Sequence, residues 1–232
     1  MNRFDTRRAF ITVALLAGLG ASALAQTAPS ASELTRYQGL HAAAATGDVA
    51  RLRHAIQSGA VLNARDGHGR TAVHVAAFAR QREALRVLAA AGADLNLLEN
   101  DRYDAVTIAS VADDEATLSV LLSLGASAKQ TTSRYDGTAL IAAAHLGHDG
   151  VVRQLIAAGA PLDHVNNLHW TAAIEAVVLG DAGPRHQATL QALVQAGANL
   201  ALTDRQGQTP LQLARSRGFT AMVKLLDSAG AR

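Results

Sequence analysis

The sequence predicts an all-α protein made of stacked helical repeats, and two observations carry that prediction. The 232-residue chain is 49% hydrophobic but only 3% aromatic, and its abundant alanine favours small helices that pack closely. The dipeptide Gly-Ala also recurs along the chain at a nearly constant spacing. Within residues 37–232 it occurs at Gly59, Gly92, Gly125, Gly159, Gly197 and Gly230, and only the interval from Gly159 to Gly197 is clearly longer than the rest. A fixed period of this length is typical of proteins whose units stack on one another.

Each unit is predicted to contain two short helices and a projecting finger. Apolar residues recur at helical spacing within residues 71–78 and again within 84–91. After each Gly-Ala comes an extended stretch, such as residues 94–96, and then a polar tip, which together predict a β-hairpin finger. Six units follow from this register: residues 37–66, 67–99, 100–133, 134–166, 167–204 and 205–232. The fifth carries a short insertion near Asp181, which we expect in the loop between its two helices.

A left-handed residue is expected where the first helix of each unit ends, because the chain must turn back there. Glycine suits that conformation better than residues with a side chain. The glycines predicted for this position are Gly47, Gly147, Gly180 and Gly218, with Arg80 and Asp113 as replacements in the second and third units.

A threonine motif begins the first helix of most units. Thr71, Thr171 and Thr209 each lie at the same offset from the preceding Gly-Ala glycine, Thr138 lies one position further on, and Asp104 occupies the slot in the third unit. The resulting segments include Thr-Ala-Val-His at 71–74 and Thr-Pro-Leu-Gln at 209–212. This pattern resembles the ankyrin repeat, whose signature is Thr-Pro-Leu-His, then Ala-Ala, Gly-His, Leu-Leu and Gly-Ala. The resemblance covers residues 37–232. It implies an ankyrin-repeat solenoid of helix–turn–helix units with β-hairpin fingers.

The segment 1–25 is predicted to be a signal peptide. Basic residues precede an uncharged run over residues 9–25, which ends in a small-x-small pattern formed by Ala23 and Ala25. Arg7 and Arg8 lie in a segment that resembles the twin-arginine export motif, and a general secretory signal is the alternative. Either route leads to the periplasm, with no membrane attachment expected after cleavage. Residues 26–36 are predicted to be a short tether before the repeat domain at 37–232.

Composition argues against several classes of function. The chain has 21 basic and 19 acidic residues, and the segment 1–25 holds three of the basic and one of the acidic ones, so the remainder is balanced. Nucleic-acid binding requires a basic surplus, so we do not expect it. Without cysteine the chain has no thiolate chemistry. We find no catalytic motif and expect neither an enzyme nor a cofactor.

The histidines admit two interpretations. His145 and His148 are three positions apart and could share a helix face as metal ligands. His148 falls on the Gly-His position of the repeat pattern, however, and His145 starts no second ligand pair, so we predict a structural role and no metal. The resemblance implies that His41 and His74 join neighbouring repeats by hydrogen bonds.

The aromatic residues outside the signal peptide are few, and four of them fall at variable positions of the repeat. In ankyrin repeats such positions line a concave groove that binds partners, and large aromatic residues are frequent anchors of interfaces. Basic residues flank these aromatics in the sequence. The predicted partner-binding residues are Phe78, Tyr103, Tyr135, Trp170, Arg70, Arg102, Arg134, His169 and Arg205. The alternative is that Tyr103 and Trp170 only pack against the adjacent finger.

The sequence therefore predicts a non-catalytic module for protein–protein interaction in the periplasm. We expect a monomer that binds an unidentified periplasmic protein through its concave face and stabilises or scaffolds it. The flanking arginines suggest a partner with acidic patches. The alternative function is an inhibitor or immunity-type protein that blocks a partner enzyme.

Overall fold

The computed structural model describes residues 26–231, and within that range all regular secondary structure is α-helical. A short helix α1 (Ala31–Arg36) precedes six pairs of helices. The pairs are α2 (Gly39–Thr46) with α3 (Val49–Gln57), α4 (Ala72–Phe78) with α5 (Arg82–Ala90), α6 (Ala105–Val111) with α7 (Glu115–Ser123), α8 (Ala139–Leu146) with α9 (Asp149–Ala157), α10 (Ala172–Val178) with α11 (Pro184–Gln195), and α12 (Pro210–Ser216) with α13 (Thr220–Ser228). The predicted all-α solenoid is confirmed.

The helices form two layers. Each first helix of a pair contacts the first helix of the next pair, and the second helices do the same. Alanine occupies one register in every first helix and is fully or almost fully buried there: Ala43, Ala76, Ala109, Ala143, Ala176 and Ala214. The second helices contribute larger buried residues at a matching register, such as Leu88, Leu121 and Leu155. Small residues in one layer bring neighbouring helices close together, which explains an apolar composition with few aromatics.

Histidines connect neighbouring units, as the resemblance implies. The Thr71 backbone N–H donates to His74 Nδ1 at 3.1 Å, so the Nε2–H of the same ring donates to the Tyr103 carbonyl at 3.2 Å. His41 Nε2 makes the equivalent contact with the Arg70 carbonyl at 2.9 Å. Burial lowers the pKa of His74 to about 4, because the charged ring would lose its hydration.

The fingers end in short segments, which we call tips. The tips are residues 66–70, 99–103, 133–137, 166–170 and 204–208, and each precedes the N-cap residue of a first helix. In the 166–170 tip, the Asn166 N–H donates to the Trp170 carbonyl, and the His169 N–H donates back to the Asn166 carbonyl. Among residues 26–231 there is one isolated antiparallel bridge, between Thr132 and Gly137, and no strand. The predicted hairpins are thus tight turns, because segments this short close without a ladder.

The predicted left-handed positions are confirmed with one exception. Gly47, Gly147 and Gly218 have φ between 67° and 70°, and Arg80 and Asp113 take the same conformation at 57° and 53°. The prediction for Gly180 is wrong. Helix α10 ends at Val178, before this glycine, and the insertion of the fifth unit moves the turn so that Ala182 adopts φ 56°.

The predicted tether is also wrong for its second half. Residues 31–36 form α1, which begins with a capping box between Ser30 and Glu33. This segment packs on the first finger, because Glu33 forms an ion pair with Arg70, and the Thr27 carbonyl accepts a hydrogen bond from Arg70 Nη1 at 3.0 Å. The segment acts as part of the folded domain and covers its first tip.

The insertion of the fifth unit lies between α10 and α11, as predicted, and it leads into a second helix that is longer than its counterparts in the other units. Arg185 at its start reaches back to Asp113, with Nη1 2.8 Å from Oδ2, and to Asp149 at 3.2 Å. Arg185 therefore links the third, fourth and fifth units through ion pairs. The Arg185 guanidinium holds the pKa of Asp113 below its usual range.

The predicted signal residues Arg7, Arg8, Ala23 and Ala25 lie outside the described residues. In the part of the chain that the structure describes, we find no helix with the length and apolar character needed to cross a bilayer.

Candidate binding cavity between the finger tips

A cavity of about 330 Å³ opens between the later finger tips and the first helices beneath them. Its lining comes from the 133–137, 166–170 and 204–208 tips, from Tyr103 at the end of the 99–103 tip, and from α6, α8 and α10. It is an open depression large enough to admit a side chain or a small organic group.

Three aromatic residues form much of the wall. Tyr103 and Trp170 occupy the same register in their tips, immediately before a helix N-cap, and Tyr135 lies in the tip between them. Tyr103 is only 4% exposed, and burial raises the pKa of its hydroxyl. Tyr135 and Trp170 are half-buried. The aliphatic residues Ile141, Leu168 and Leu179 complete an apolar lining.

Backbone hydrogen bonds fix the tips that carry these rings. The Asn167 N–H donates to the Tyr135 carbonyl at 2.9 Å, which ties the 166–170 tip to its neighbour. Within the tip, Asn166 Oδ1 accepts the backbone N–H groups of Leu168 at 3.0 Å and Trp170 at 2.9 Å. Asp66, Glu99, Ser133 and Asp204 begin the other tips and accept backbone N–H groups in the same way. Trp170 is thus held in place by the turn that precedes it.

The lining includes one buried carboxylate, that of Glu175 on α10. The residue is 4% exposed, and its Oε1 accepts a hydrogen bond from Asn166 Nδ2 at 3.0 Å. Its Oε2 lies 3.3 Å from His145 Nδ1, but the pair lacks hydrogen-bond geometry, and this oxygen has no hydrogen-bond partner. The cavity therefore combines aromatic walls with a buried carboxylate.

The structure brings together Tyr103, Tyr135, Trp170 and Arg205 from the predicted partner-binding set. Phe78 lies apart from them, at the end of α4, where it packs half-buried against the core. Arg102, Arg134 and His169 are exposed on the tips but do not line the cavity.

The prediction that Arg70 contacts a partner is wrong, since this residue has no exposed surface. Its Nε donates to Asp66 Oδ2 at 2.7 Å, and its other nitrogens bind Glu33 and the Thr27 carbonyl. Burial alone would raise the pKa of Asp66, but hydrogen bonds from Tyr37 and Arg70 lower it to about 2. Arg70 holds the N-terminal segment on the first finger.

The basic residues that flank the aromatics are less available to a partner than the sequence suggests. Arg102 forms an ion pair with Asp136 at 2.8 Å, and Arg205 donates to the Asn167 carbonyl of the neighbouring tip. Both arginines therefore serve contacts between fingers. An acidic partner no longer follows from the flanking arginines.

Sequence reasoning missed Glu175 and Asn166 as site residues, although a signal was present. Glu175 comes four positions after the threonine of its motif. The same position is apolar in the other units with the motif: Val75, Ile108, Ala142 and Leu213. A lone carboxylate at a core register was the detectable sign.

The two histidines considered as metal ligands have separate partners. His148 Nδ1 contacts the Ser110 carbonyl at 2.9 Å, which joins its unit to the preceding one, whereas His145 faces Glu175. Residues 26–231 contain no cluster of three or more histidine, aspartate or glutamate side chains arranged to hold a metal ion.

Comparison with known proteins places the chain in a family. A model described as "Ankyrin repeats (3 copies)" matches residues 105–204, and one described as "Ankyrin repeats (many copies)" matches residues 40–89. The crystal structure of an ankyrin repeat domain from Acinetobacter baumannii AYE is 44% identical, with a TM-score of 0.78, and the match covers 83% of this chain and 98% of that one. The chain belongs to the ankyrin-repeat family, generally a non-catalytic fold for binding other proteins.

Two further similarities agree with this assignment. The ankyrin repeat protein YahD of Escherichia coli (strain K12) is 42% identical over 100 residues, which are 43% of this chain and 50% of that protein. The matched region thus spans about half the length of this curated relative. The ankyrin repeat domain of Bcl-3, a member of the IkappaB family, is 26% identical with a TM-score of 0.75, covering 84% of this chain and 87% of that one.

Proposed function

We propose that this protein is a non-catalytic interaction module of the periplasm that binds a partner protein through the aromatic cavity and the finger tips around it. The observation that carries the proposal is the convergence of Tyr103, Tyr135 and Trp170 on one open cavity of about 330 Å³. Aromatic anchors in a concave site bury much area at small entropic cost, which is typical of interface centres. The family supports a binding role in general, and the cavity supplies a definite surface for it.

The test is affinity capture from a periplasmic extract with the chain from Gln26 onward. A variant with Tyr135→Ala and Trp170→Ala removes the two half-buried rings and leaves the buried Tyr103 in place. The matched control is Leu34→Ala with Val61→Ala, which removes two exposed apolar side chains outside the cavity. Circular dichroism verifies that all three proteins are folded.

We expect the wild type and the control variant to retain a partner that the cavity variant loses. A partner retained equally by all three proteins would place the interface elsewhere and contradict the proposal. The absence of any partner would contradict it as well. With a partner in hand, its melting temperature and activity in the complex separate a stabilising role from an inhibitory one.

The periplasmic location depends on residues 1–25 acting as a signal peptide. The support is the order of a basic start, an apolar run over residues 9–25 and the small-x-small end at Ala23 and Ala25. A reporter that requires export in the folded state, fused after Ala25, tests the twin-arginine route. Export lost on changing Arg7 and Arg8 to Lys supports that route, and export retained by that variant would contradict it. A reporter that the unchanged signal does not export in the folded state would favour the general secretory route.

A further inference from the structure

Glu175 is a buried carboxylate at a position that the fold fills with apolar residues elsewhere. Val75, Ile108, Ala142 and Leu213 occupy the same register of their first helices, and all four are buried. Burying a carboxylate costs several kcal/mol unless hydrogen bonds and an opposite charge compensate it. The scaffold has no need of a charge here, because an apolar residue serves at this register in the other units.

The compensation that Glu175 receives is incomplete. Asn166 satisfies Oε1, while Oε2 faces His145 at 3.3 Å without forming a hydrogen bond. Four buried side-chain nitrogen or oxygen atoms lack a hydrogen-bond partner within residues 26–231, and Glu175 Oε2 is the one carboxylate oxygen among them. A buried acceptor with spare capacity, in the lining of a cavity, indicates a missing donor.

Asn166 is matched to this carboxylate. The equivalent residue of the other tips is Asp66, Glu99, Ser133 or Asp204, each of which accepts backbone N–H groups with its side-chain oxygen. Asparagine keeps that acceptor and adds an amide donor, which binds Glu175 Oε1. A carboxylate at position 166 would repel Glu175, so the pair forms a local arrangement that holds a negative charge in the cavity lining.

The aromatic and aliphatic walls of the cavity suit a ligand that carries a positive charge on an alkyl chain. Tyr103, Tyr135 and Trp170 surround the space, with Ile141 and Leu179 beside them. Aromatic rings attract cations through their negative faces, and apolar walls accommodate an alkyl chain. The combination fits a linear alkyl chain that ends in a positive charge.

We propose that the cavity binds a lysine side chain of the partner protein, with its ammonium group donating to Glu175 Oε2. This inference rests on the proposed function and assigns the chemistry of its central contact. Lysine fits better than arginine, because a guanidinium binds a carboxylate through both oxygens, and Asn166 already occupies Oε1. The partner thus presents a basic residue to the cavity, in contrast to the acidic partner that the flanking arginines suggest in the sequence.

Trp170 makes the test direct, because it is the single tryptophan of the chain and lines the cavity. Its fluorescence is followed while the chain from Gln26 onward is titrated with blocked pentapeptides. The probes have alanine at four positions and lysine, arginine or the uncharged norleucine at the centre. The variant Glu175→Gln removes the charge and keeps the shape, and Glu83→Gln removes an exposed carboxylate outside the cavity as the matched control.

We expect a saturable change in fluorescence with the lysine peptide, weaker binding of the arginine peptide and none of the norleucine peptide. Glu175→Gln should weaken binding of the lysine peptide about tenfold or more, since a buried charge-assisted hydrogen bond is lost, whereas Glu83→Gln should have no effect. Equal binding of norleucine, tighter binding of arginine, an unaffected Glu175→Gln variant or no saturable response would overturn the lysine assignment. The peptide comparison on the wild type keeps the test decisive even if the variant fails to fold.

The affinity capture separates this inference from the function on which it rests. A partner lost by the Tyr135→Ala, Trp170→Ala variant but retained at full affinity by Glu175→Gln would overturn the lysine contact and leave the proposed function intact. A partner lost by both variants supports both proposals.

Discussion

Two buried charges in this protein, Arg70 and Glu175, lie at comparable places and have opposite surroundings. Arg70 ends the first described tip and is fully buried, and its guanidinium donates to Asp66, Glu33 and the Thr27 carbonyl. Glu175 lies on the helix that follows the 166–170 tip, is 4% exposed, and keeps one oxygen without a hydrogen bond. The guanidinium of Arg70 joins separate parts of the chain through its several partners, whereas Glu175 Oε2 remains able to accept a further donor.

The largest effect is expected from Arg70→Ala. Removal of the guanidinium takes one of its hydrogen bonds from Asp66, leaves the Thr27 carbonyl without its partner and weakens the attachment of the segment around α1. Breaking a buried pair in this way lowers the free energy of unfolding by about 3 kcal/mol. Urea unfolding measures the change. The control is Arg102→Ala, whose exposed pair with Asp136 is worth less than about 1 kcal/mol, and equal losses in the two variants would contradict the contrast.

Acid should destabilise the N-terminal units in two stages. His74 has its pKa lowered to about 4 by burial, so the unfolded chain takes up a proton below about pH 6.5 that the folded chain cannot bind. The contribution of neutral His74 to the free energy of unfolding is therefore fully present above that pH. It decreases as the pH falls to 4, by about 3 kcal/mol at most. Asp66 and Glu33, whose pKa values are lowered to about 2, cause a second decrease between about pH 4.5 and 2.

The variant His74→Gln isolates the first stage. Gln212 fills the same position in the last unit, where its Oε1 accepts the Thr209 N–H at 2.8 Å, so glutamine is compatible with this capping arrangement. Thermal unfolding as a function of pH should show a smaller slope between pH 6.5 and 4 in the variant. An unchanged slope would mean that a different group causes the decrease.

A smaller effect is expected from Asn166→Asp. The new carboxylate still accepts the backbone N–H groups of the tip, as Asp66 and Asp204 do, but it lies against Glu175 Oε1. Repulsion should lower the free energy of unfolding by about 1–2 kcal/mol at pH 7. Urea unfolding at pH 7 measures it. Asn167→Asp, at the next position of the same tip, is the control, and a loss as large in that variant would show that the effect is not specific to Glu175.

Most of the fold is predictable from the sequence, because the period sets the register of every helix. The Gly-Ala spacing and the threonine slots locate the helix pairs, and alanine at one register defines the inner layer. The exceptions arise where a segment breaks the period. Residues 31–36 precede the first repeat and Gly180 adjoins the insertion, so neither follows from the repeat register.

The site is only partly predictable from the sequence. The repeat register shows which side chains share a face, but it does not show which hydrogen-bond or ion-pair partners each side chain has. Arg70, Tyr103 and Trp170 occupy one register, and only the three-dimensional structure reveals that Glu33 and Asp66 enclose Arg70. Glu175 was visible as an exception in a core register. Whether its second oxygen has a hydrogen bond depends on the positions of Asn166 and His145, and only the three-dimensional structure shows these positions.

Glu175→Leu tests most directly whether Glu175 serves binding and not folding. Leu213 occupies this register in the last unit, so the substitution suits the scaffold. The substitution removes a buried charge that is incompletely satisfied and so relieves its desolvation cost, which offsets the loss of the hydrogen bond from Asn166 Nδ2. We predict an unchanged or higher free energy of unfolding, together with loss of the Trp170 fluorescence response to the lysine peptide. A variant that loses stability yet still responds to the peptide would contradict the account.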